Sequence, residues 1–439
     1  MFFPELYSDH YWLKNAHVPA CLLEKNLFAN VGQTREGLIN VDVEIYFGKV
    51  KQVIPHHPDF SSHVPFVDLK KQIIFPGFID IHTHLDKGHV WERSPNLDGT
   101  FDNALSIIFN DAKTYYQADD VYRRMEFGLR CSYAHGTTAL RTHIDAFGKQ
   151  GEIGFDVFQT LQKEWQDRIN LQAVCLVSLD YYQIPEGIKL ADKMAELGTL
   201  LGGVAYTNPD LASQLDRVFQ LAKERQLNLD FHVDENNDPE SNCLHQVAEA
   251  ALRNEFTGSI LCGHCCSLAV QSLETVNQTI ALLQQSNIGV VSLPMCNLFL
   301  QDRQPEKTPL WRGITRVHEL KNAGIPVTFA SDNCRDPFFG FGDHDGLEVL
   351  NQSIRIGHLD TPYADWCTSV TQTPADLMNL PHLGRIKTGL TADLIIFKAR
   401  YFSELFARAQ RDRVVIRHGK PIDTTLPDYS ELDDLIFLD

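Results

Sequence analysis

The hydrophobic pattern changes character twice along the 439 residues. Over roughly the first 70 positions apolar and polar residues alternate in short runs. Residues 41–47 (VDVEIYF) read as one half-buried strand, Gly48 as a turn, and 48–54 as the returning strand. From about Gln72 the pattern becomes a series of near-continuous apolar runs, at 73–81, 137–143, 171–179, 202–206, 227–233, 259–264, 288–293 and 325–331. Strands of a parallel sheet are covered on both faces and carry such runs. Between them, 118–134, 186–197, 211–225, 240–253, 268–285, 314–323 and 345–356 have helical periodicity. Eight strands alternating with helices predict an α/β chain, a (β/α)8 TIM barrel. Short strands return after Pro374, at 392–397 and 413–418. The expected organisation is a barrel over 76–375, with a small composite β-sandwich built from the two chain ends, 1–75 plus 376–439.

Composition narrows the function. With 39 basic and 57 acidic side chains the formal charge is −18. A nucleic-acid binder needs a basic face to displace phosphate counterions, and a polybasic membrane anchor needs the same sign. Neither fits. No apolar run is long enough to span a bilayer. Residues 1–14 include Glu5, Asp9 and His10 in place of the basic and apolar regions of a signal peptide. The ten cysteines are sparse and mostly lie in apolar runs, so reduced thiols in the cytoplasm are expected. Cys262-Gly-His-Cys265-Cys266 has a CxxC spacing without a second pair, and reads as a buried strand entering a loop. Acidity speaks to solubility and leaves a homo-oligomer open.

The polar residues at the strand ends carry the chemistry, because barrel active sites form at the C-terminal ends of the strands. Strand one ends in His82-Thr-His84, two imidazoles on one face of a pleat. Strand two adds His143 and Asp145, strand five His232 with Glu235, strand six His264 and strand eight Asp332. Three histidines and an aspartate from strands one, five and eight make a ligand set for zinc or ferrous iron with a position left for water. Lys87, Arg303, Arg335 and Phe338-Phe339 stand near these loops, while His56, His57, His89, His344 and His382 read as ordinary.

The stretch Pro76-Gly-Phe-Ile-Asp-Ile-His-Thr-His84 resembles the strand-one signature of the amidohydrolase superfamily, as do Gly384–Gly389 and 392–397 at the other end. Within it, His82-Thr-His-Leu-Asp86, Arg141-Thr-His-Ile-Asp145, Leu300-Gln-Asp-Arg303 and Arg312-Gly-Ile-Thr-Arg316 are similar to the cytosine deaminase branch. The resemblance implies one divalent metal ion held by His82, His84, His232 and Asp332. It implies Glu235, His264 and Asp332 as catalytic groups, and hydrolysis by metal-activated water that releases ammonia from an amino-heterocycle. Lys87, Ser178, Asn297 and Asn333 are the expected substrate contacts. The superfamily's bridging carboxylated lysine has no candidate in Ala205-Tyr-Thr-Asn208, which favours a mononuclear site. The other zinc-deaminase architecture, marked by H-x-E, is absent from the sequence.

Two departures bear on the substrate. Cys175-Leu-Val-Ser178 offers no glutamine where cytosine deaminases place one, and Asn333 follows the metal aspartate where they have a second carboxylate. Ser331-Asp-Asn-Cys-Arg-Asp336 and Lys87 are instead similar to the N-isopropylammelide hydrolases, which lack the counterpart of Glu235. The resemblance implies a cytosine deaminase-like enzyme acting on cytosine or a close aminopyrimidine, with isocytosine, a pterin, a creatinine-like imidazolone or a triazine as alternatives. The two departures predict that a bulkier or more carbonyl-rich ring is hydrolysed better than cytosine. A non-catalytic scaffold would have lost ligands, and none is missing.

Overall fold

The computed structural model describes residues 4–59, 62–363 and 365–436. They fall into two compact units. The first takes the chain up to residue 80 with 130–139 and 345–427, and the second takes 81–129, 140–344 and the chain from 428.

The first unit contains two four-stranded sheets. In one, strands run in the order Lys49–Pro55, Leu38–Tyr46, His10–Pro19, Phe66–Asp68, and Val43 stands opposite both Leu13 and Val53. The hairpin at its edge turns on Phe47 (φ 45°) and Gly48 (φ 75°), the two left-handed residues a tight two-residue loop requires. The other sheet orders Lys420–Pro421, Val414–Arg417, Leu394–Ile396 and Ile74–Pro76. Residues from both chain ends therefore share one sheet.

Eight further strands make the barrel: β1 (Phe78–Thr83), β2 (Thr137–Asp145), β3 (Asn170–Leu176), β4 (Leu201–Ala205), β5 (Leu229–Val233), β6 (Ile260–His264), β7 (Ile288–Ser292) and β8 (Val327–Phe329). β4 to β8 pair in sequence, in parallel, and β1 to β3 form a second run. Parallel bridges from Val174 to Leu200 and from Ser178 to Val204 join β3 to β4, and one from Thr83 to Asp332 closes the ring. Every residue of β1, β2, β5, β6, β7 and β8 is buried, as the continuous apolar runs predicted.

Three details differ from the sequence expectation. The apolar run 73–81 is two strands, because Gly77 interrupts it where a Cβ would lie 2.2 Å from the Thr138 methyl. Residues 345–375 group with the first unit, where Asp345, at the head of helix Gly346–Gly357, is clasped by Arg413 at 2.7 and 2.5 Å. The segment from 428 groups with the second unit, where Asp434 receives Arg123 at 2.7 Å and the Leu435 carbonyl receives Arg93 at 3.0 Å. The helical stretches read from the pattern also leave out two long helices, Phe101–Tyr115 and Gly148–Trp165, and shorter ones such as Pro294–Leu300 and Gln372–Leu377.

Candidate active site

Two hydrogen bonds, one between backbones and one from a side-chain hydroxyl, lock the ends of β1 and β8 together. The Asp332 N–H donates to the His82 carbonyl at 2.9 Å, and the Thr83 hydroxyl donates to the Asp332 carbonyl at 2.8 Å. Asp332 and His264 both adopt left-handed φ, 62° and 69°. Such conformations are held by their surroundings at some cost, and they cluster where side chains must be aimed.

Four donor atoms converge there. Asp332 Oδ1 lies 3.3 Å from His84 Nε2 and 3.5 Å from His82 Nε2, and His84 Nε2 lies 3.3 Å from His232 Nε2. Ligands about 2.0–2.1 Å from one ion in a tetrahedron stand about 3.3–3.4 Å apart, so the spacing suits a zinc-sized cation. Both Asp332 carboxylate oxygens and His82 Nε2 are buried without a hydrogen-bond partner among the described residues. Buried polar groups are seldom left so, and a cation would satisfy them together. Burial, with the Lys87 charge, lowers His84 to about 4, and burial holds His232 well below the usual histidine range. Neutral imidazole is the form that binds metal.

Around this cluster sit the groups that can move protons. Glu235 follows β5 in a loop fixed by Asp234, whose carboxylate receives Ser241 Oγ at 2.8 Å and the Cys243 and Leu244 N–H groups at 2.9 Å. The Asn297 amide nitrogen, on helix Pro294–Leu300, donates to Glu235 Oε1 at 3.1 Å and to His264 Nδ1 at 3.0 Å. Burial and the negative charge of Asp332 push the Glu235 carboxyl well above the usual range, and burial lowers His264 to about 3.

The remaining expected residues divide. His143 packs its ring 4.0 Å from that of His82, with Nε2 3.8 Å from Asp230, which is itself paired to Arg141 at 2.9 Å. Among the described residues Asp145 makes no hydrogen bond or ion pair with a ligand histidine. It receives Lys87 Nζ at 2.7 Å, and its N–H donates to Asp86 at 3.0 Å. Burial opposes the Lys87 charge, but Asp145 and Asp86 outweigh it and raise the pKa, so the cavity contains an ammonium. Asn333 donates to Asp336 at 2.7 Å, and the Phe338 and Phe339 N–H groups hold the same carboxylate at 2.8 and 3.2 Å. Burial raises Asp336 to about 7. Asn297 does not line the cavity; its amide is taken up by Glu235 and His264 behind it. Arg303 is exposed, and Arg335 pairs with Glu92.

The cavity above the cluster measures about 240 Å³. His84, His232, Glu235, His264 and Asp332 form its polar end, with Lys87, Ser178 and Asn333 beside them. Its walls are apolar, and Phe101, Leu105, Ile108 and Phe109 come from the unpredicted helix Phe101–Tyr115. Phe147, Tyr206 and Phe338 complete them. One local signal marks the start of that helix: Thr100, a good N-cap residue, whose hydroxyl accepts from the Asn103 N–H at 3.3 Å.

Residues 102–423 match the model of the amidohydrolase family. The chain is 45% identical over 426 residues to a pterin deaminase of Rhizobium rhizogenes, covering 97% of this chain and 96% of the relative. It is 24% identical over 418 residues to an N-isopropylammelide isopropyl amidohydrolase of a Pseudomonas species, covering 92% and 95%. Among solved structures, the 5-methylcytosine deaminase of Klebsiella pneumoniae superposes with a TM-score of 0.80 at 24% identity, over 95% of this chain and 98% of that one. The chain belongs to the amidohydrolase family, metal-dependent hydrolases that act on C–N bonds other than peptide bonds.

Proposed function

We propose that the protein is a cytoplasmic hydrolytic deaminase of a bicyclic amino-heterocycle of the pterin class. The reading rests on one observation above the rest. Ligating atoms of His82, His84, His232 and Asp332 approach one another in pairs at 3.3–3.5 Å, and His84, His232 and Asp332 line the polar end of a cavity that Glu235 and the Lys87 ammonium also line. The near-full-length pterin deaminase relative supports the ring class, and ten cysteines without a disulfide suit a reducing compartment.

His82, His84, His232 and Asp332 would hold one zinc or ferrous ion. When bound, such an ion supplies Lewis acidity that makes water a nucleophile near neutral pH. The reaction forms a C–O bond at the amine-bearing ring carbon, breaks the C–N bond to the exocyclic amine, and turns a ring amidine into a ring amide with release of ammonia. An amine leaves only after protonation. Glu235, whose protonated form is favoured by burial and by the negative charge of Asp332, delivers a proton to the ring nitrogen beside the reacting carbon. Asp332, through its second oxygen, relays a proton to the departing nitrogen. An amide NH2 can only donate, so His264 Nδ1 accepts from Asn297 and the imidazole proton sits on Nε2. His264 therefore donates to the oxygen that becomes the product carbonyl.

The ring is chosen by the rest of the cavity. Lys87 donates to a ring carbonyl, held in place by Asp145. Asn333, oriented by Asp336, presents a neutral amide to the ring edge where a carboxylate would select an NH-rich one. Ser178 is short and leaves room for a second ring, and the Phe101, Ile108, Phe147 and Phe338 side chains flank a flat bicycle. Ammonia release from pterin, isocytosine, guanine, cytosine and ammelide tests this. Pterin is expected to lead, and cytosine turned over with every bicyclic ring failing would reject it.

A further inference from the structure

The loops after β1 and β8 carry a second set of ligating side chains outside the catalytic cavity. His89, Cys334 and His344 bring a ring nitrogen each and a thiol within 4.8 Å of one another, and all three residues are buried. None of them lines the catalytic cavity. Both ring nitrogens of His89 are closed off from solvent with no hydrogen-bond partner among the described residues. A buried donor or acceptor left unmet is destabilising, so a ligand that engages the ring has something to recover.

The backbone is set for the cluster. His89 and His344 both lie in the left-handed region, at φ 60° and 52°. That conformation is uncommon for residues with a Cβ. The His89 N–H donates to the Cys334 carbonyl at 3.1 Å, and the Val90 and Trp91 N–H groups donate to the Arg335 carbonyl at 2.9 Å. Helix Ala118–His135 passes the cluster at Gly128, where a Cβ would lie 3.0 Å from His344 Nε2. The nearby cationic side chains are neutralised: Arg335 pairs with Glu92, and Arg124 with Asp120 at 2.7 Å.

We propose that His89, Cys334 and His344 form a second metal site that takes a thiophilic divalent ion, zinc foremost. Two imidazoles and a thiolate are three ligands of a tetrahedral zinc, and the thiol releases its proton on binding. His89 also lines a neighbouring cavity of about 210 Å³ with Glu92, Arg335 and Tyr429. The ion would clasp the two loops that carry Lys87 and Asn333, so its role is to position recognition groups and not to take part in the chemistry.

The protein loaded with cobalt(II) or zinc(II) separates the two sites. Wild-type protein should hold two ions per chain and, with cobalt, show a near-ultraviolet thiolate-to-metal charge-transfer band. His89→Asn and His344→Asn should each lose one ion and the band, keep the other ion and ammonia release at saturating substrate, and raise KM. Cys334→Ser should lose the band, whereas His82→Ala should lose activity and one ion but keep it. A single ion per wild-type chain without a thiolate band overturns the proposal without any variant. So does a band that survives in Cys334→Ser, which would place the thiolate elsewhere.

Discussion

Replacing Glu235 by Gln separates proton transfer from every other use of that position. Gln has nearly the same volume and keeps an oxygen that can accept from Asn297 at the 3.1 Å now spanned by Glu235 Oε1. It has no acidic proton. If Glu235 were only an acceptor in a buried network, the change would cost a hydrogen bond's worth, about 0.5–1.5 kcal/mol, or roughly 2- to 13-fold in rate. If it carries the proton to the ring, the loss is the contribution of general acid catalysis, about 10²–10⁴-fold in kcat, or about 2.7–5.4 kcal/mol. The two ranges do not overlap. The assay is steady-state ammonia release with metal content and thermal midpoint measured on the same sample. A kcat within tenfold of wild type at full metal content refutes the proton-carrier role, and loss of the metal would make Glu235 a ligand.

Asp332→Ala and His82→Ala should abolish ammonia release and remove the catalytic ion, read by elemental analysis; turnover that persists after chelation would refute the metal-dependent mechanism. Lys87→Met, which keeps the length and removes the charge next to Asp145, should raise KM for a carbonyl-bearing ring by about 10–100-fold, the worth of a charge-assisted hydrogen bond. Unchanged KM would take Lys87 away from the substrate. Ser178→Gln with Asn333→Asp should move preference towards cytosine, measured as the ratio of kcat/KM for cytosine to that for pterin, and an unmoved ratio would reject the recognition argument. Asp345 gives a pH signature in the first unit: burial opposes its ionisation, yet the charge of Arg413 holds its carboxyl below the usual range. A carboxyl depressed on folding stabilises above its unfolded pKa of about 3.9, and that stability is lost as the pH falls through the folded value. Asp345→Asn should lower stability at pH 7 by about 3–5 kcal/mol and flatten the loss below about pH 4, read by urea unfolding at pH 7 and 3; an unchanged acid slope would refute it.

The barrel was legible because its strands are buried on both faces, so apolar runs mark them without ambiguity. The convergence of His82 and His84 was legible for a similar reason, since residues two apart on a strand share a face. What the pattern hid depends on packing across the fold. Helix Phe101–Tyr115 carries a legible stripe, with Phe101, Ala104, Leu105, Ile108 and Phe109 at i, i+3, i+4, i+7 and i+8, but that four of these residues wall the cavity is visible only in the fold. Helix Gly148–Trp165 opens with Gly151 and Gly154, poor helix formers required because a Cβ would lie 2.8 Å from the Ala146 backbone or 2.7 Å from Ile144. Asn297 was expected against the substrate and instead joins Glu235 to His264, a relation that only three-dimensional proximity reveals. The pairing of Lys87 with Asp145 has the same origin. His89 and His344 lie 255 positions apart and carried no local signal, yet a single loop pair brings their rings to 5.5 Å.

The central claim is that a metal held by His82, His84, His232 and Asp332 drives deamination of a pterin-class ring. One titration tests it most directly: metal-free protein is reloaded with zinc(II) or iron(II) in steps, and ammonia release from pterin is followed against metal bound per chain, for wild type and for His89→Asn. Activity should be absent without metal and rise in proportion to one equivalent in His89→Asn, where the catalytic cluster is left to fill alone. Full turnover of pterin by metal-free protein, or no turnover at saturating metal, would contradict the account.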